Sequence, residues 1–484
     1  MRNEPNRSQL RKTKNPRHSA ESGFGSTPDD APLTKRTQRR FGRARWAGAL
    51  ALWASVAAAE SLPAFPAAEG FGASATGGRG KAVAEVTNLN DDGPGSLRDA
   101  ISGGDRTVVF RVSGTINLNS RLKLNHPNIT IAGQTAPGDG ICLRGHELFI
   151  ADTENVIVRY LRLRPGDESK TELDALTVWN AKDVIIDHCS LSWSTDSLND
   201  VVKQSGNVTV QWCILSEPLV RSVHSKGSHG YATGWDGRTK GGGSFHHNLI
   251  AHAASRAPRI GYFKVDRGLI DCRNNVIYNS GPSYGGEGDD FNFVGNYYRP
   301  GPDSERLRKK VNLFDVWSAD TRMYVADNVY EGQKQVAADN RAAVSFNTNA
   351  DATTKKGDAA TCLVDKPFDV PQVTTQPAER AYELIIAQAG ATLPARDAVD
   401  VRIINDVKNR SGKPIDSPTE VGGWPELKSA EAPADGDHDG MPDAWESKHG
   451  LDPKDPSDGA KAKEAGGYTN LEVYLNELAT PASS

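Results

Sequence analysis

From Val108 onward the chain breaks into short β-rich pieces, among them "NITIAGQ", "NVIVRYLRLRP", "DVIIDHCSLSW", "NVTVQWCILSE" and "MYVADNVYEG", with turn formers between them and little helix. A small residue that opens a short apolar step recurs at Cys189, Cys213, Asn248, Asn275, Asn296 and Asn328, at intervals of 24, 35, 27, 21 and 32. A constant step with variable insertions is the pattern of a solenoid whose coils each add a loop on one face. Propeller blades would repeat more evenly, and sandwich strands would alternate polar and apolar residues more strictly. The pattern therefore predicts an all-β chain, a right-handed parallel β-helix, in which the asparagines stack and hydrogen-bond from coil to coil as structural residues.

One piece carries too much charge for a core strand. "DVIIDHCSLSWSTDSLNDVV", Asp183 to Val202, ends with Asp196 and Asp200 four residues apart, in the same run as Asp187 and His188. Each such group costs several kcal/mol to bury unless a charge or a metal pairs with it. A positive group is therefore expected near the end of the run. Asp187 and His188 lie within the strand, and a structural role is expected of them, hydrogen bonding near that site.

Charge distribution narrows the partners. Residues 1 to 45 carry twelve Lys/Arg against four Asp/Glu, and "WAGALALWASVAAA", Trp46 to Ala59, is an apolar run short for a membrane span and ending in small residues. Residues 1–59 are expected to be a signal peptide with a long basic n-region, giving a secreted protein, extracellular or periplasmic, with no membrane contact after cleavage. Loss of that segment moves the net charge from −4 to −12, since it carries those twelve basic and four acidic residues. An acidic surface argues against nucleic acid as a partner. It admits an anionic substrate only through a local cationic patch or a bridging metal. The five cysteines, Cys142, Cys189, Cys213, Cys272 and Cys362, are too scattered for a disulfide framework, and buried free thiols are expected.

Five motifs in order, "AFPAAEGFGASATGGRGKAVAEVTNLNDDGPGSLRDAI", "ITIAGQTAPGDGICLRG", "VIVRYLRLRPGD", "DALTVWNAKDVIIDHCSLSWSTDS" and "SRAPRI", resemble the pectate lyase family of polysaccharide lyases, in a bacterial branch that opens with a Gly-rich segment. The resemblance spans roughly residues 62 to 300. It implies a secreted, calcium-dependent lyase that cleaves polygalacturonate, an anionic plant cell-wall polysaccharide, by β-elimination, with the chain acting as a monomer. It also implies a groove outside the β-helix where Ca2+ is held by Asp174, Asp196 and Asp200, with Glu172 as an additional ligand. The base that takes the C5 proton is implied to be Arg256, with Lys226 facing the substrate carboxylate. Pro258 is expected to favour an extended presentation of Arg256. Where many relatives have a further arginine this chain has Gly261, so Arg259 is expected to make the substrate contact. That departure keeps open action on esterified pectin or another uronate polymer. A non-catalytic carbohydrate-binding β-helix is the alternative of a different class. Trp179, Trp193 and Trp235 are candidates for stacking on sugar rings or for burial at strand ends.

The β-helix lyase domain is expected over residues 60–365, and the composition then changes. "PAERAYELIIAQAGA" reads as a helix, and "PARDAVDVRIINDVKNRSG" contains another, so residues 366–430 are expected to form a helical and irregular cap and linker. In residues 431–484, "DGDHDGMPDAWE" places Asp435, Asp437, Asp439, Asp443 and Glu446 at positions 1, 3, 5, 9 and 12 of a loop with Gly440 at 6. That is EF-hand-like calcium-loop spacing. Its distance in sequence from Arg256 suits a stabilising Ca2+ rather than a catalytic one.

Overall fold

Coil after coil turns a corner on a residue held at positive φ: Tyr160 (φ 56°), His188 (50°), Trp212 (53°), His247 (56°), Asn274 (50°), Gly295 (64°) and Asp327 (58°). Six of the seven are not glycine, so the left-handed conformation costs energy at each and has to be held by its surroundings. The residue after each corner from His188 onward is the small one marked by the sequence repeat. Its side chain does the holding. The backbone N–H of Cys213 donates to Asn248 Oδ1 (2.8 Å), that of Asn248 to Asn275 (3.0 Å), that of Asn275 to Asn296 (3.0 Å), that of Asn296 to Asn328 (2.9 Å) and that of Asn328 to Asn340 (2.7 Å). Each Nδ2 in turn donates to a carbonyl of its own or the preceding coil, as Asn275 does to Phe245 O at 2.9 Å.

The computed structural model describes residues 62–235, 241–261, 267–286, 288–347 and 355–480. The expected signal peptide, residues 1–59, lies outside them. Three parallel sheets of ten, nine and nine strands run the length of the molecule, every neighbour one coil away. The fold is a right-handed parallel β-helix, the hand that parallel crossovers take. In one coil, Lys182–Asp187 lies in the first sheet, Ser190–Ser192 in the second and Ser197–Val202 in the third. The interior is apolar from end to end, from Leu97 and Val108 through Ile186, Leu215 and Phe245 to Phe314 and Val344. All five cysteines are free and buried.

Asp187 serves the corner rather than the acidic run beyond it. Its carboxylate accepts from Arg159 Nε (2.8 Å) and Gln211 Nε2 (2.7 Å) and lies 2.9 Å from His188 Nδ1. Burial alone would raise its pKa, but the His188 and Arg159 charges hold it well below the usual carboxylate range. Trp193 and Trp235 are fully buried, whereas Trp179 is exposed.

The outer faces of the first two sheets are covered by later parts of the chain. Ala378–Gln388 and Ala398–Asn409 are the two helices expected from sequence, and they pack Ala381, Ile385, Ile403 and Val407 onto Ile214, Leu249, Val276 and Tyr278 of the second sheet. Residues 435–478 return to the first sheet, where Met441, Leu471 and Leu475 meet Ala132 and Val83. The third sheet keeps an open outer face. Among the described residues no helix is long and apolar enough to cross a membrane.

Replacing Asn275 by alanine would remove the acceptor for Asn248 N and the donors to Phe245 O and Asn296 Oδ1, all buried. The expected loss is about 2–4 kcal/mol. It would be read as a lowered unfolding midpoint, and a midpoint unchanged from the wild type would mean that the ladder is ornamental.

Candidate functional site

Strand register in the third sheet lines up one residue from each coil. Phe149 pairs with Thr177, Thr177 with Asp200, Asp200 with Gly234, Gly234 with Arg259, Arg259 with Tyr284 and Tyr284 with Asp315. Their neighbours on either side, such as Val178, Val201 and Ile260, point into the core, so this row faces out. Strands about 4.8 Å apart make it a track of evenly spaced side chains crossing the coils.

The carboxylates gather where the track meets the loops entering the strands. Asp174 Oδ1 accepts from Ser197 N (2.9 Å), and its Oδ2 lies 2.8 Å from Thr177 Oγ1, which also reaches Glu147 Oε2 at 2.8 Å. Glu147 is paired with Arg121 at 2.6 Å. Burial and the charges of Asp200, Asp196 and Glu147 raise Asp174 well above its ordinary value. Burial lifts Asp200 to about 6 even though Arg256 pulls it down, and Asp196 adds to the rise. Asp196 Oδ1 and Asp200 Oδ1 are buried oxygens without a hydrogen-bond donor. A cluster of acids that repel one another, with unpartnered oxygens, fits a bound oxygen-liganded cation.

Arg256 stands over this cluster. Its Nη1 donates to Ser197 Oγ at 3.0 Å and lies 3.5 Å from Asp200 Oδ2, and its guanidinium carbon sits 4.2 Å from the Tyr231 ring centroid. Its backbone is left-handed (φ 53°), not extended as expected from Pro258; the pre-proline restriction falls on Ala257, and Arg256 itself occupies a corner. Arg259 is half-buried, donates to Gly261 O at 3.3 Å and lies beside Tyr284 and Trp317, which stack at 4.4 Å. Lys226 is exposed, and its backbone N–H donates to His224 Nδ1 at 3.1 Å.

Two histidines that the sequence reading did not assign complete the wall. The rings of His224 and His229 stack at 3.3 Å, and His229 meets Tyr231 at 4.6 Å. His224 Nε2 lies 3.4 Å from both Glu172 Oε2 and Asp196 Oδ2, and His229 Nε2 lies 4.0 Å from Asp196 Oδ1. Glu172 Oε1 also accepts from Ser225 N at 2.8 Å. Asp196, His224 and His229 form a group with all ligand atoms within 4.8 Å of one another, whereas Asp174 and Asp200 lie outside it. The only sequence signal for these residues was the "SHG" at Ser228–Gly230.

The C-terminal loop assembles two overlapping acidic groups, Asp435, Asp437 and Asp439 in one, Asp439, Glu446 and Asp458 in the other. Asp443 is in neither; its Oδ1 accepts from Gly436 N at 2.6 Å. Asp458 comes from "GLDPKDPSDG", residues 450–459, which lies beyond the twelve-residue loop spacing. Burial and the neighbouring Asp residues raise Asp439 to about 7 and Glu446 to about 8.

The sequence profile of the family described as "Pectate lyase" matches residues 47–285. The chain is 35% identical over 428 residues to a probable pectate lyase C of Aspergillus terreus, covering 86% of this chain and 94% of that one. It is 36% identical over 431 residues to a probable pectate lyase C of Aspergillus fumigatus, covering 87% and 95%. These relatives are fungal, where a bacterial branch was expected. A solved structure described as a pectate lyase bound to hexasaccharide superposes with a TM-score of 0.47 at 16% identity, covering 69% of this chain and 98% of that chain.

Asp174→Asn tests the electrostatics of the acidic cluster. An asparagine there can accept from Ser197 N and donate to Thr177 Oγ1, so the hydrogen bonds survive while one charge goes. A carboxyl whose pKa is raised by folding stabilises the fold below about pH 4 and loses that contribution as pH rises through its folded value. In chelator the variant should therefore match the wild type near pH 4 and melt higher at pH 8. Identical melting temperatures at both pH values would show that the cluster is not under repulsion.

Proposed function

The chain belongs to the pectate lyase family and is a polysaccharide lyase, and we propose that it is a secreted enzyme that cleaves polygalacturonate by calcium-dependent β-elimination in the groove of the third sheet. The observation that carries this reading is the placement of Asp200 and Arg259 on one outward track, with Arg256 3.5 Å from Asp200 and carboxylate oxygens left unpartnered beside them. Asp174, Asp196 and Asp200, with Glu172 at the rim, would hold Ca2+. When bound, the ion offsets the negative charge of the uronate carboxylate and of the enolate-like state that follows proton loss.

The chain's own groups do the rest. Arg256 reaches out from a corner fixed by the Thr233 N–H to its carbonyl (3.0 Å), by Ser197 Oγ and by the Tyr231 ring, so its guanidinium has one direction in which to take the C5 proton. Asp200 Oδ2, 3.5 Å away, and Ser197 Oγ hold the guanidinium at the edge of the acidic cluster. Arg259, one coil further and next to Tyr284 and Trp317, offers a fork to a second uronate carboxylate and a flat aromatic wall to its ring. Lys226, exposed on the loop beside His224, would face the carboxylate of the reacting sugar. The C4–O bond breaks as the C4–C5 double bond forms, and the departing glycosidic oxygen takes up a proton from solvent, to which the base returns the C5 proton.

Two measurements test the reading. With polygalacturonate as substrate, the purified chain should release an unsaturated, ultraviolet-absorbing product, should stop after exhaustive chelation and should recover on addition of calcium. Full activity in chelator would remove calcium from the mechanism. Arg256→Lys should lower kcat by on the order of a hundredfold or more, because a reacting group displaced by about 1 Å loses that much. Arg259→Lys should chiefly raise KM through the lost bidentate contact. Small and equal effects of both changes would place the base elsewhere, with Lys226 as the next residue to replace.

A further inference from the structure

The acidic loop near the C-terminus is not used by the lyase chemistry, yet most of its carboxylates are buried. Glu446 is fully buried, Asp439 is 4% exposed and Asp435 and Asp458 are each 6% exposed. Both Glu446 oxygens, Asp437 Oδ2, Asp439 Oδ2 and Asp458 Oδ1 are buried with no hydrogen-bond partner. The remaining oxygens are spoken for and aim these inward: Asp435 accepts from His438 N (2.8 Å) and Gly440 N (3.1 Å), Asp439 Oδ1 from Met441 N (3.0 Å) and Asp458 Oδ2 from Asp452 N (3.1 Å). Among the described residues Arg111, 3.7 Å from Asp435, is the one Lys, Arg or His side chain within 4.0 Å of any of these carboxylates. Such a set is not stable as a group of bare anions.

We propose that Asp435, Asp437, Asp439, Glu446 and Asp458 bind one Ca2+, and that this ion is a latch holding residues 435–478 against the opening coils of the solenoid. An all-oxygen set selects a hard cation, and oxygens on opposite sides of a calcium lie about 4.8 Å apart, twice a bond of about 2.4 Å. Both overlapping groups meet that limit and share Asp439. Asp458 takes the place that loop spacing gave to Asp443, and so closes the site from a second loop.

The latch character follows from what the segment touches. Glu472 pairs with Arg79 at 2.7 Å, His438 Nδ1 with Glu85 Oε2 at 2.9 Å, and Arg111 reaches both Glu85 and Asp435. Gly440, at φ 91°, lies so close to the first sheet that a Cβ there would stand 3.3 Å from Val83 and 3.4 Å from Val109. Met441, next in the loop, is fully buried against Leu471 and Ala132. An ion that fixes residues 435–446 and Asp458 therefore fixes the cover of the strands Ala82–Val86 and Arg106–Phe110.

The test uses the full chain, with calcium alone as ligand and no substrate. Calcium should raise the melting temperature by several degrees and slow amide exchange in Ala82–Val86 and Asn470–Leu478. Glu446→Gln and Asp458→Asn should each abolish that response or demand about tenfold more calcium. Glu446→Gln should also melt higher than the wild type in chelator, because it removes an uncompensated buried charge while keeping the shape. Asp200→Asn, in the groove, should leave the calcium response of these peptides intact. No calcium response in the wild type, an unchanged response in both loop variants, or its loss in Asp200→Asn would overturn the latch. Lyase activity enters neither readout, so the groove reading and the latch can fail separately.

Discussion

The left-handed corner and the asparagine that satisfies it set the register on which the rest of the molecule depends. Buried backbone N–H groups at these corners have no strand partner in the plane of the sheet, and the stacked side-chain amides supply one at every coil from Cys213 to Asn340. Because each amide bonds the next coil, a slip in one coil would break bonds in two. The third sheet inherits this register. A one-residue shift there would turn Asp200 and Arg259 inward and send Val201 and Ile260 to solvent, so the groove exists only while the corners hold.

That dependence also explains which parts could be read from sequence. The ladder residues repeat in a local chemical pattern, small residue then apolar step, and need no knowledge of loops to be seen. Asp196 and Asp200 were legible for a related reason, as charge on an otherwise apolar strand. Glu147, His224, His229 and Asp458 were not, since each reaches its cluster from a connection whose path is set by packing with another coil. Arg256 lies 3.5 Å from Asp200 Oδ2, yet its backbone was not legible, because proximity to Pro258 suggested extension while the corner demanded φ 53°. Trp193 and Trp235 show the converse limit: aromatic identity does not reveal the face, and both are core residues, whereas Trp179 faces out with Lys203 at 4.8 Å from its ring.

The two acidic clusters are built for different relationships with a cation. In the groove, Asp196 is a third exposed and the acids are shared with Arg256, Arg121 and His224, so the protein supplies an incomplete set of ligands and keeps counter-charges at hand. On the proposed reading, a cation there would gain its last ligands from the substrate carboxylate, and linkage would then make each strengthen the binding of the other. The latch offers more oxygens, buries them and leaves all but Asp435 without a positive neighbour among the described residues. Its ion has no use for a substrate and nothing to replace it. A chain with both arrangements would hold one calcium as part of its fold and exchange the other with each polymer it meets. That separation would let the groove stay electrostatically unsettled without loosening the solenoid that carries it.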